Sequence, residues 1–180
     1  ELSPHSDLDV CLLYEDAPEA DIEQLSNYLV PFLWDTGFMV GFATRSLEES
    51  LELARDDSEA FTSLLESRLL TGNSMTFARM KLSIREMRFG GMARDYVQLK
   101  VRERYEDLAP ELSDLFNPEP DVKRNAGGLR DFHTAFWILM ASYGTTSLDD
   151  AVNQGLVSAD EQLQVAEALD FIWRVRNELH

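Results

Sequence analysis

The 180-residue chain carries 33 Asp plus Glu against 16 Lys plus Arg, a formal charge of −17. Such a surface repels nucleic acid and anionic membranes, so a phosphorylated ligand must be held locally, by a divalent cation or a few converging basic groups. One cysteine (Cys11) excludes an internal disulfide, no apolar run approaches the ~20 residues of a membrane helix, and nothing resembles a signal peptide. The expectation is a cytoplasmic protein of one domain, or one domain with a helical appendage.

The first predicted element is a strand over residues 8–14, entered through Ser6-Asp7-Leu8-Asp9. Side chains alternate across a strand, so Asp7 and Asp9 share a face while Leu8 and Val10 point into packing. Two carboxylates ~6 Å apart repel by ~3 kcal/mol at an effective dielectric of ~20. Either one takes up a proton or a cation sits between them. Oxygen ligands with no Cys or His cluster nearby favour a hard cation, Mg²⁺ or Mn²⁺. In the competing reading Asp7 caps a turn and Asp9 lies on a solvent-exposed edge. Ser6, at the strand entrance, has a hydroxyl that can donate to a phosphate; His5 is assigned no role.

A polar loop, Glu15 to Asp21, leads into a helix from Ile22 with Leu25, Tyr28, Leu29, Phe32 and Leu33 at helical spacing. Pro31 should kink it or mark its boundary, and Gly37 should stop it. A second strand follows over Phe38 to Thr44. Ser46 and Glu49 form a capping box that opens a helix to about Arg55. The next helix places Phe61, Leu64, Leu65 and Leu69 on one face and ends at Gly72. Asn73 or Ser74 caps another, which runs to a break at Gly90-Gly91, and a basic, apolar helix spans about Arg94 to Asp107. After a loop rich in breakers come a helix over Leu129 to Tyr143, a short one capped by Ser147, and a long one opened by the capping box of Ser158 and Glu161. Two strands make a marginal sheet, so further cryptic strands are expected. Trp34, Trp137 and Trp173 read as core; the Arg102-Arg104 pair, Arg174 and Arg176 read as surface ion-pair partners.

The loop Asn117 to Gly128 and the helix start form the most distinctive segment, E-P-D-V-K-R-N-A-G-G-L-R-D at residues 119–131. Gly127 and Gly128 permit close backbone approach or positive φ, and they precede a helix whose free N–H groups would favour an anion. Lys123, Arg124 and Arg130 gather positive charge in an acidic chain. In the alternative reading, Arg130 and Asp131 make structural hydrogen bonds at a loop-to-helix junction.

S-P-H-S-D-L-D-V, F-L-W-D-T-G-F-M-V-G, S-L-L-E-S-R-L-L-T-G-N, the 119–131 segment continuing F-H-T-A-F-W-I, and F-I-W-R-V-R-N-E-L-H occur in one order along the chain. In that order they resemble the bifunctional PII uridylyltransferase/uridylyl-removing enzymes over essentially all 180 residues. The resemblance implies an α+β fold: a small polymerase β-like nucleotidyltransferase sheet, N-terminally truncated, followed by a mostly helical region. The domains it implies are a partial transferase core over 1–72 and a helical region over 73–180, containing the 117–131 loop. The family's glycine-rich turn would end just before Glu1, so the chain is expected not to catalyse unaided. Glutamine sensing is expected only from C-terminal domains outside this chain.

The implied chemistry is transfer of UMP from UTP to a tyrosine of the signalling protein PII, with Asp7 and Asp9 as catalytic metal ligands for Mg²⁺ or Mn²⁺. Ser6, Lys123 and Arg130 would bind nucleotide phosphate, and Gly127, Gly128 and Asp131 would shape the motif loop. No nucleic acid or membrane partner is implied. Where the family usually reads G-H-S-V-R-T, this chain has Gly41-Phe42-Ala43-Thr44-Arg45-Ser46, and E-P-N-V-K is here E-P-D-V-K. No third carboxylate lies on 38–44, leaving Glu66 as a speculative substitute. The departures keep two alternatives open: adenylyl transfer to another protein, or a degenerate domain that binds nucleotide or a partner without turnover.

Overall fold

The structure is a computed structural model that describes residues 6–113 and 121–179. His5, the prolines of the 117–120 stretch and His180 lie outside the described residues. The chain divides into two compact units, Glu1–Ile84 and Arg85–His180.

The first unit is built on a βαβ crossover. Strand β1 (Leu8–Tyr14) and strand β2 (Val40–Ser46) pair in parallel, from Leu8 opposite Val40 to Tyr14 opposite Ser46. Parallel strands need a long connection, here helix α1 (Glu19–Trp34). The Ser26 and Thr44 hydroxyls, 3.0 Å apart, tie α1 to β2. Helix α1 begins earlier than its periodicity suggests, directly after Pro18, and continues through Pro31 to Trp34. No α1 residue is buried, and Trp34, expected in the core, is 62% exposed. Two strands ~4.8 Å apart are narrower than a helix ~10 Å across, so this sheet cannot cover the apolar face of α1. Among the described residues these two strands are the whole sheet.

Ser46 ends β2 and caps helix α2 (Leu47–Asp56): its hydroxyl accepts from Glu49 N while the Glu49 carboxylate accepts from Ser46 N. The reciprocal pair satisfies two N–H groups that the first turn would leave orphaned. Asp57 then caps helix α3 (Ser58–Glu66), accepting from Glu59 N and Ala60 N. Helix α3 stops at Glu66, short of Gly72, and Leu69 and Leu70 are exposed. The cause is tertiary: Lys81 Nζ donates to the Leu64 and Leu65 carbonyls at 2.8 and 2.9 Å, and Ser67 Oγ also donates to Leu64 O. These groups take over acceptors that another helical turn would have used. Helix α4 (Ser74–Met87) is capped by Asn73, whose side chain accepts from Met75 N. Glu15, just past β1, holds α4 through Thr76 Oγ1 at 2.7 Å and Arg79 at 3.1 Å. Ala54, Phe61, Leu65, Met80 and Ile84 are this unit's buried apolar residues.

Gly90-Gly91 does not end a helix in a loop. Residues Arg88–Met92 form one π-helical turn, with Gly91 at φ 104°, that kinks the chain from α4 into helix α5 (Ala93–Ser113). Helix α6 (Leu129–Tyr143) has the predicted limits and packs on α5; α7 (Leu148–Asn153) and α8 (Ala159–Glu178) follow behind their serine caps. Leu129 and Ala141 are completely buried here, and Arg88 Nε donates to Ala141 O at 2.6 Å near the end of α6. Among the described residues no helix is long and apolar enough to cross a membrane.

The capping box at the β2–α2 junction is directly testable. Ser46→Ala should lower the unfolding free energy by about 1 kcal/mol in denaturant melts, with an unchanged m-value.

Candidate functional site

In the first unit, Asp7 and Asp9 are both exposed while Leu8 and Val10 are partly buried, as strand alternation requires. Neither carboxylate makes a hydrogen bond or ion pair among the described residues, so their oxygens are open to a ligand. Leu8 N bonds Met39 O at 2.8 Å, fixing the register that sets Asp9 opposite Gly41. A Cβ on Gly41 would stand 2.7 Å from Asp9 Oδ1: the carboxylate occupies the space a side chain would fill. Gly41 therefore shapes the Asp9 site, although composition and spacing alone gave it no role. Its signal in the sequence is a glycine inside a strand, which marks close approach by another group. Phe42 and Ala43 follow it in β2, both partly buried. Among the described residues no three of His, Cys, Asp or Glu come together, so Glu66 completes no ligand set with Asp7 and Asp9.

In the second unit the glycine turn is a closed structure. Gly128 N, Leu129 N and Arg130 N donate to the carbonyls of Asn125, Val122 and Lys123 at 2.9, 3.1 and 2.8 Å. Gly127 N donates to Asp131 Oδ2 at 2.6 Å. The N–H groups expected to be free for an anion are thus occupied by the turn itself. Gly127 sits at φ 78°, and a Cβ on Gly128 would lie 2.7 Å from Val122 O and 2.8 Å from Asn125 O. Asp121 begins the turn by accepting from Lys123 N and Arg124 N.

The other oxygen of Asp131 accepts from Arg104 Nε at 2.5 Å, and a second Arg104 nitrogen lies 3.3 Å from Asn125 O. Arg104, expected on the surface, is only 8% exposed. Its guanidinium beside Asp131 holds that carboxyl below the usual range, and the Gly127 N–H adds to the effect. By contrast Arg102 pairs with Glu106, and Arg174 with Asp170, on the surface as expected.

Arg130 and Lys123 make no side-chain hydrogen bond or ion pair among the described residues. The Arg130 guanidinium rests over the Trp137 ring, 5.6 Å from its centroid, and Lys123 is exposed. Both act on His133, whose imidazole is pushed down to about 4, first by burial and then by the Arg130 and Lys123 charges. Arg176 adds to the effect, so His133 faces several cations and, among the described residues, no carboxylate partner, which marks a locally electropositive face on an acidic protein.

The GlnD PII-uridylyltransferase family matches residues 95–180. Enzymes named bifunctional uridylyltransferase/uridylyl-removing enzyme, from Pasteurella multocida (strain Pm70) and Vibrio atlanticus (strain LGP32), are each 37% identical to the chain across 100% of its length. A third of the same name, from Rhodospirillum rubrum, is 36% identical, again over 100% of the chain. Over its whole length the chain is similar to the PII-uridylyltransferase family. It spans about a fifth of these relatives' length, covering 21, 20 and 19% of them respectively. No solved structure matches it.

Two measurements check this geometry. Gly128→Ala should destabilise the chain by about 1–3 kcal/mol in denaturant melts, because the new methyl meets backbone carbonyls that cannot move aside. The His133 imidazole lies lower in the fold than the ordinary value of 6.5, so the unfolded chain binds the extra proton as pH falls. Stability contributed by neutral His133 should be full above pH 6.5 and lost progressively towards pH 4. The difference in unfolding free energy between wild type and His133→Gln should show that slope, whereas a flat difference would contradict the assignment.

Proposed function

We propose that this chain is part of a polymerase β-like nucleotidyltransferase that moves UMP from UTP to a tyrosine hydroxyl of the signalling protein PII. The observation that carries the reading is the pair Asp7 and Asp9: exposed carboxylates at the entrance of strand β1, unpartnered among the described residues, with Gly41 leaving room for one of them. The names of the relatives supply the transferred group.

The oxygen donors of Asp7 and Asp9 fit a hard divalent cation such as Mg²⁺ or Mn²⁺ and would hold it without competition from a neighbouring lysine or arginine. When bound, such an ion neutralises triphosphate charge and favours departure of pyrophosphate. Asp7 and Asp9 orient that charge at the strand entrance, and Ser6 is close enough in sequence to offer a hydroxyl to a phosphate oxygen. On the second unit, Arg130 and Lys123 would bind phosphate through charge-assisted hydrogen bonds, since among the described residues neither pairs with a carboxylate. Asp131, already engaged by Arg104 and Gly127, shapes the loop and takes no part in metal binding.

The test uses the intact protein with radiolabelled UTP, Mg²⁺ and purified PII. Label should pass to PII from UTP and not from ATP. Asp9→Asn should abolish transfer while leaving the melting temperature within a few degrees, and wild-type turnover in that variant would remove the metal-site assignment. Gly41→Ala is a second probe, because its methyl displaces only the end of the Asp9 side chain. It should lower transfer by about tenfold or more with little change in stability, as expected when a metal ligand is misplaced by a fraction of an ångström. Label on PII from ATP alone would redirect the proposal to adenylyl transfer.

A further inference from the structure

We infer that Arg104 is a positioning residue for phosphate binding: it holds Asp131 and the turn before α6 so that the adjacent Arg130 guanidinium stays free for an anion. The inference rests on the phosphate role proposed above for Arg130 and Lys123.

Arg130 and Asp131 are neighbours in the chain at the start of α6, and an unengaged carboxylate so near an arginine lowers the positive potential that draws a phosphate. The fold prevents this competition. Asp131 has two oxygens and both are used: Oδ1 by Arg104 Nε at 2.5 Å, Oδ2 by Gly127 N at 2.6 Å. Arg104 comes from α5, so the constraint is imposed from another helix. Its further contact at 3.3 Å, to Asn125 O, reaches the same turn whose carbonyls accept from the N–H groups at the start of α6. One guanidinium thereby fixes the carboxylate, the turn and, through the Arg130 N–H to Lys123 O bond, the relative placement of two cations that are unpaired among the described residues. With 8% of its surface exposed, Arg104 has little reach towards a ligand itself and acts through Asp131. A lysine would be a poor substitute, because a single ammonium cannot reproduce the planar fork that meets both Asp131 and Asn125.

The experiment compares wild type, R104M, R104K, R104M/D131N and R130A in the intact protein, using inorganic tripolyphosphate as the probe in titration calorimetry. Near-UV circular dichroism and thermal melts establish folding. R104M should weaken binding by about tenfold or more, comparable with R130A, because Asp131 is then released to compete for Arg130. R104M/D131N should recover to within about threefold of wild type, since asparagine keeps an acceptor for Gly127 N but carries no charge. That recovery separates positioning from a merely structural role, which predicts the double variant to be no better than R104M. Should R104M fail to fold, R104K carries the test: it keeps the charge and loses the fork, and a partial loss of about threefold is expected. Wild-type affinity in the folded arginine variant while R130A loses affinity, or no recovery in the double variant, would overturn the inference alone. Wild-type affinity in R130A would overturn the phosphate role itself, and the inference with it.

Discussion

The second unit is organised around one ion pair, Arg104 with Asp131. It joins α5 to the start of α6, closes the glycine turn through Gly127, and leaves the next residue back, Arg130, without a carboxylate. Arg104 is buried while the Asp131 side chain is 36% exposed, so removing Asp131 leaves a buried guanidinium without its charge partner, a destabilising change. On a chain with a net charge of −17, the pair also decides where positive potential survives. Arginines that meet a carboxylate are neutralised; Arg130, lying over Trp137 with Lys123 held nearby through the backbone, is not.

The same distinction between engaged and unengaged carboxylates describes the first unit. Glu15 is occupied by Thr76 and Arg79, Glu49 by the cap of α2, and Asp57 by the first turn of α3. Asp7 and Asp9 make no such bonds among the described residues. Placing two acids on one face raises their mutual repulsion, and among the described residues no basic side chain pairs with either. Gly41 adds a steric element: opposite Asp9 in the register, it yields the volume the carboxylate occupies.

Features governed by short sequence separation were legible before the structure. The capping boxes at Ser46 and Ser158 depend on side chains reaching backbone groups three residues away, and both form as expected. The limits of β1 and α6 followed from alternation and from the Gly-Gly junction. What escaped depends on contacts between distant residues. Arg104 looked like one of several surface arginines in a charged helix, and only the packing of α5 on α6 brings it to Asp131, 27 residues away. The early end of α3 needed Lys81 to reach back 16 and 17 residues to its last carbonyls. Helical spacing places Trp34 in the core, but spacing cannot report that the sheet beneath α1 is two strands wide among the described residues. The glycine turn was half legible: its need for glycine was visible, whereas the internal use of its N–H groups was not.

On the proposed reading, Asp7 and Asp9 are the carboxylates kept free for a metal, while Asp131 is committed to Arg104. Anomalous diffraction from crystals of the intact protein grown with Mn²⁺ and a non-hydrolysable UTP analogue tests it directly. The account predicts a manganese peak at bonding distance from oxygens of both Asp7 and Asp9, with none at Asp131 and the Arg104 pair intact. Manganese held by Asp131 with Arg104 displaced, or bound elsewhere with the Asp7 and Asp9 oxygens uncoordinated, would contradict it.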